Sequence, residues 1–142
     1  MARAATATPS LADDFASREV AYNRPPGRLA VGRPVDVSLV INATPDAGAA
    51  REALQGFPGE IVETDVDVSP VVSAQLTGVG LKIEPQSVER QKLSGRSVNR
   101  WQWRVTPTEP GTHTLILEIF GYAAGGGEAE PLSVYRDQIT VQ

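Results

Sequence analysis

His113 is the only histidine in this 142-residue chain, and cysteine is absent. The missing thiols remove disulfides, thiolate nucleophiles and cysteine-based metal sites. One histidine is too few for a zinc site. A hydrolase built on His113 would need a serine and an acid beside it. Its parity with Leu115 and Leu117 instead puts it on an inward face at the start of a strand, where a hydrogen bond to backbone is expected. Glu63, Asp65 and Asp67 share one face of a second alternating run. Carboxylates suit hard cations, but alternate residues of a flat strand stand about 7 Å apart, too far to converge on one ion. We expect a solvated outer face, paired across strands with Arg100 and Arg104. Gly125, Gly126 and Gly127 lack the lysine and following helix of a phosphate loop and read as a hairpin tip. No catalytic residue, metal or cofactor is expected.

Two other groups point to recognition. Trp101 and Trp103 alternate with Arg100, Gln102 and Arg104 in "VNRWQWRVT". Exposed, the indoles would make an aromatic platform for a carbohydrate. Buried, each would remove about 150–250 Å² from water, worth several kcal/mol at roughly 25 cal/mol per Å². The polar side is already supplied by the arginines and Gln102, so the core reading is preferred, with a carbohydrate-binding module as the alternative. "ERQKLSGR" brings Arg90, Lys92 and Arg96 close together in sequence. With Arg100 and Arg104 they are the residues expected to meet a partner.

The formal net charge of −4 argues against nucleic acid, which needs a basic face. No run of about 18 apolar residues is present, so no helical segment that inserts into a membrane is expected. The length suits one domain and is enough to bury a core without disulfide or metal. "MARAATATPSLADDF" lacks the apolar middle of a signal peptide. Residues 1–19 are expected to be a linker or weakly structured tail, with at most a helical turn in "LADDFASRE", and residues 20–142 the domain. The poorly patterned start suggests a piece excised from a longer protein.

Period-two alternation dominates the rest. Val35, Val37, Leu39 and Ile41 mark one strand; Val62, Thr64, Val66 and Val68 another; then Val71–Leu76, "LKIEP", the tryptophan run, "THTLILEIFGY" and "LSVYRDQITVQ". A short edge strand is expected at Val20–Asn23, before Pro25 and Pro26. "PTEPG" reads as the turn of a hairpin that sets the tryptophan face beside the Leu115–Leu117 face in one surface, with Glu118 outside near the arginines. One helix is predicted over residues 47–55, with Asp46 as N-cap and Gly56 as stop, packing Leu54 or Phe57 over an end of the sheet. Many short strands with glycine and proline turns, and no β-α-β alternation, predict an all-β antiparallel sandwich with one inserted helix.

"EPGTHTL", residues 109–115, resembles the D-x-G-x-Y-x-C corner of immunoglobulin-like domains, with Glu109, Gly111, His113 and Leu115 in the four places. "W-x-W-x-V-x-P…P-G-T-x-x-L" is similar to the last third of immunoglobulin-like accessory domains in bacterial multidomain proteins. The resemblance implies an immunoglobulin-like sandwich and a non-enzymatic spacer or interaction module, whose partner is a protein or a neighbouring domain. Its loops at Gln86–Ser97 and Ala123–Pro131, or an edge strand, would meet that partner.

Overall fold

Alternating runs leave each strand with one apolar face, and two such faces stack to exclude water. A computed structural model describes residues 15–57, 59–123 and 126–142. Among these it forms ten strands: β1 (Ala16–Arg24), β2 (Arg28–Leu29), β3 (Val35–Asn42), β4 (Glu60–Val68), β5 (Val71–Thr77), β6 (Leu81–Pro85), β7 (Arg90–Lys92), β8 (Asn99–Pro107), β9 (Gly111–Ala123) and β10 (Gly126–Val141). One helix, α1 (Ala49–Ala53), joins β3 to β4. Sheet I has the order β4-β1-β3-β8-β6, and sheet II the order β2-β10-β9-β5-β7. The fold is the all-β sandwich read from the sequence. Its pairings are antiparallel except β2·β10. That parallel pairing arises because the chain crosses between sheets at Pro25–Gly27.

The core lies between the sheets. Val20, Tyr22, Val37, Leu39, Ile41, Trp101, Trp103 and Val105 of sheet I meet Val72, Ala74, Leu76, Leu115, Leu117 and Ile119 of sheet II. These are the inward parities expected for β3, β8 and β9. Ser69 and Pro70 carry the chain from β4 in one sheet to β5 in the other, because proline has no N–H with which to continue a ladder.

Several expectations are corrected. β8 and β9 do not form a hairpin. They lie in different sheets, so the tryptophan and leucine faces oppose one another across the core, and Glu118 lies on the outer face opposite to that of Arg100 and Arg104. Pro107 and Pro110 supply no N–H groups, and the turn becomes an arch. Thr108 N–H and Oγ1–H both donate to the Gly80 carbonyl, each at 3.0 Å. β1 is not an edge strand. It begins at Ala16, four residues ahead of the expected boundary, and sits between β4 and β3. The prolines follow it and leave its ladder intact. Residues 16–19 are therefore strand rather than helical turn; residues 1–14 of the expected tail lie outside the described residues. Gly126–Pro131, expected as loop, belongs to β10, with register shifts after Gly126 and Pro131; Gly125 of the expected tip lies outside the described residues.

The helix is shorter than predicted and starts differently. Gly48 is the N-cap in the left-handed region at φ 85, while Asp46 gives only its carbonyl to Ala49 N–H. It covers the outer face of sheet I rather than an end. Ala50 and Leu54 pack on Ala21 and Val40, with Ala53, Phe57, Ile61 and Val98 around them. Apolar Ala21 and Val40 on the outward parity call for such a cover.

Leu54 is fully buried in this small second cluster. Truncating a buried leucine leaves a cavity and costs about 2–5 kcal/mol. Leu54→Ala is expected to lower the denaturation midpoint accordingly, while tryptophan emission of the folded state stays unchanged because the main core is on the other side of the sheet. A red-shifted native emission would show that the two clusters are one.

Candidate functional site

Both indoles are core. Trp101 is 1% exposed and Trp103 4%. Their strand, β8, lies between β3 and β6, and the inward parity turns both rings into the space between the sheets. Trp101 Nε1–H donates to the Glu89 carbonyl at 2.6 Å, which settles the one polar group that burial would otherwise strand. The aromatic platform expected under the carbohydrate alternative therefore does not form from these residues.

His113 behaves as a corner residue. Its Nε2 meets the Glu109 carbonyl at 2.8 Å. Its ring lies against Gly80, where φ is +80 and an added Cβ would come within 2.7 Å of Nδ1. Glycine is required there on both counts. The ring thus ties the β8–β9 arch to the β5–β6 turn.

Two acidic groups are also structural. Asp137 on β10 accepts Tyr22 Oη–H and pairs with Arg24 Nε at 2.8 Å, joining sheet II to sheet I. Burial, then the hydrogen bond to Asp137, hold the Tyr22 phenol well above its ordinary value, and Asp137 raises Arg24. Tyr135 packs on Tyr22 with ring centroids 5.0 Å apart, and burial raises its phenol too. Glu19 accepts from Asn42 Nδ2 at 2.9 Å and from Gly48 N–H at 3.0 Å. Those bonds, that to Asn42 first, lower its carboxyl and hold the loop before α1.

The acidic stripe has a different role from the expected cross-strand pairing. β1 and β3 separate β4 from β8, so Glu63, Asp65 and Asp67 lie too far from Arg100 and Arg104 to pair. Glu63 pairs with Arg51 of α1 instead. β4 is an edge strand, and its exposed acids guard that edge against pairing with another chain.

The structure divides the five basic residues. Arg90 and Lys92 lie on the outer face of sheet II, with the Arg90 guanidinium 3.9 Å from the Tyr122 ring centroid. Arg100 and Arg104 lie on the outer face of sheet I. Arg100 donates to the Ala53 carbonyl at 2.7 Å and stands over Phe57, and Arg104 lies 3.8 Å from Asp36. Arg96 is exposed on the turn between β7 and β8.

One concave feature the sequence did not disclose is a groove of about 310 Å³ at the β5/β6 edge. Residues 86–89 carry the chain from β6 in sheet I to β7 in sheet II. Gln86 N–H donates to the Gln102 carbonyl, and Gln102 N–H to Ser87 Oγ. Below this crossing β7 seals the edge; Gln91 and Asn99 side chains stitch it to β8. Above it the sheets stand open. Leu76, Ile83, Pro85 and Trp103 line the groove, with Gln75 and Glu89 among its polar residues. The signal in the sequence was faint: a three-residue strand inside a polar stretch.

No protein-family model matches the chain, and no curated protein matches it. Among solved structures it is similar to a cohesin module from the family 33 glycoside hydrolase of Clostridium perfringens ATCC13124, at 12% identity and a TM-score of 0.43, over 89% of this chain and 98% of that one.

Two measurements follow. Titration with soluble oligosaccharides is expected to leave tryptophan emission unchanged; a saturable shift would put sugar against an indole and contradict the burial. Tyr22→Phe is expected to cost about 1–3 kcal/mol, the range for a hydrogen bond to a charged group and a partner left unsatisfied. Because the folded-state phenol is raised above its ordinary value of 10.0, its contribution is whole below pH 10 and is lost as pH rises beyond it. The alkaline fall in unfolding free energy should be shallower in Tyr22→Phe; an unchanged slope would assign it elsewhere.

Proposed function

We propose that this chain is a non-enzymatic accessory module of a larger bacterial protein. It works by rigid presentation: the sandwich holds an edge strand and loops against a protein partner, or against neighbouring domains of the same polypeptide, for which it also serves as spacer. The observation that carries this reading is where the polar chemistry is spent. His113 holds the arch, Asp137 joins the sheets and Glu19 holds the loop before α1, whereas the β5 edge beyond Ser73 lies beside a groove with no strand paired to it among the described residues. The immunoglobulin-like corner at Glu109–Leu115 supports it as well.

The first surface to test is Gln86–Ser97, which includes the crossing and β7. Val88 at its tip is 70% exposed. A photoreactive residue at position 88, in the native polypeptide expressed in its own cells, is expected to give a discrete protein adduct. The same residue at position 138, on the outer face of β10, is expected to give none. Equal labelling at both positions, or none at either, would overturn the reading.

A further inference from the structure

We propose that β5 between Ala74 and Thr77 accepts an extended segment of a partner protein as an added strand, its apolar side chains entering the groove and a basic one meeting Glu89. This rests on the interaction-module reading and specifies where the partner sits.

The argument begins with the ladder that stops. β7 pairs with β5 only at Val71, Val72 and Ser73. Leu93 N–H donates to the Pro70 carbonyl at 2.8 Å. In an antiparallel pair the residues that bond to a given neighbour alternate, so the even-numbered residues of β5 aim their backbone groups toward β7. Gln91 stands opposite Val72. The next rung would set Glu89 opposite Ala74, but its carbonyl is turned inward to Trp101 Nε1–H. Ala74 and Leu76 therefore present N–H and C=O groups at the edge, with no strand beside them among the described residues. Such a row selects a polypeptide in extended form, since only a second backbone matches its donors and acceptors.

Guarding of the edges points to the same place. β4 carries Glu60, Glu63, Asp65 and Asp67, β6 carries Lys82, Glu84 and Pro85, and β10, which β2 covers only at Thr140 and Val141, carries Glu128, Glu130, Pro131, Arg136 and Asp137. Charge and proline are the usual means of blunting an edge. Ala74-Gln75-Leu76-Thr77 has neither.

The occupant follows from parity and charge. Ala74 and Leu76 face inward, so the partner residues opposite them enter the groove over Trp103 and Ile83 and must be apolar. The residue opposite Gln75 points outward, beside the Glu89 carboxylate, which Gln75 Nε2 approaches at 3.3 Å. Glu89 makes no ion pair among the described residues, and a lysine or arginine there completes one. A second copy of this chain does not fit. Pairing β5 with β5 about Gln75 would bring its Thr77 opposite Ser73, the place Arg90 already holds.

The probe is the capped peptide acetyl-Thr-Val-Lys-Val-amide, whose four residues span Thr77 to Ala74 and stop short of the place that Arg90 holds, titrated to millimolar concentration while amide resonances are followed. Saturable shifts are expected at the Ala74 and Leu76 amides and the Trp103 indole. N-methylation of both valines, which deletes backbone donors, should abolish them. Glu89→Gln, an exposed change that leaves the fold intact, should weaken the lysine peptide about threefold, the scale of one exposed ion pair, and leave a neutral glutamine peptide unchanged. Binding that survives N-methylation, shifts confined to another surface, or self-association without peptide would each overturn the proposal. Shifts at another surface, with adducts still formed at position 88, would overturn the strand site and keep the interaction module. Silence in both experiments would remove both.

Discussion

Trp101 is buried on the inner face of sheet I, and its indole has one donor that cannot be left unmet at that depth. The Glu89 carbonyl meets it, and to do so the chain must leave the β6 side and cross between the layers. That crossing decides which part of the edge is closed by β7 and which part stays open over Trp103. Leaving that buried donor unmet would cost about 1–3 kcal/mol. The rung opposite Ala74 is absent where the Glu89 carbonyl turns inward to meet it.

The two ends of the stack treat their margins in opposite ways. On the β4 side, outward carboxylates repel any strand that approaches, and α1 roofs the apolar residues that break the alternation. On the β5 side the backbone is bare and neutral, and the floor beside it is apolar. Between them, Asn23 replaces ladder bonds with side-chain bonds as β1 leaves β3: it accepts Ser38 N–H at 2.5 Å and donates to the Asp36 carbonyl at 2.8 Å. Polar side chains inside this protein chiefly manage departures of one strand from its neighbour.

Alternation made the inward faces legible. Val37, Leu39 and Ile41, then Trp101 and Trp103, then Leu115 and Leu117 lie where a period of two puts them, and His113 takes the backbone bond expected of a corner. Partner choice was not legible, because it depends on distant strands: "PTEPG" has the composition of a hairpin turn, yet Pro107 and Pro110 make it an arch between layers. The cover over Ala21 and Val40 had a signal, two apolar residues on a face that should be wet. The groove had almost none, since its walls are ordinary core residues and its opening comes from three residues of β7 ending early.

β1 enters beside Val68, and β10 leaves beside Leu29, past the far end of β1. Tension applied through the two ends would therefore run along the strands, loading many rungs together in shear rather than peeling them one by one. The parallel β2·β10 rungs and the Tyr22–Asp137–Arg24 contact both tie the β1–β2 segment to β10 and share that load. Placed within a longer polypeptide, such a domain would bear pull as a link in a chain, with its bare β5 margin turned sideways to the line of force.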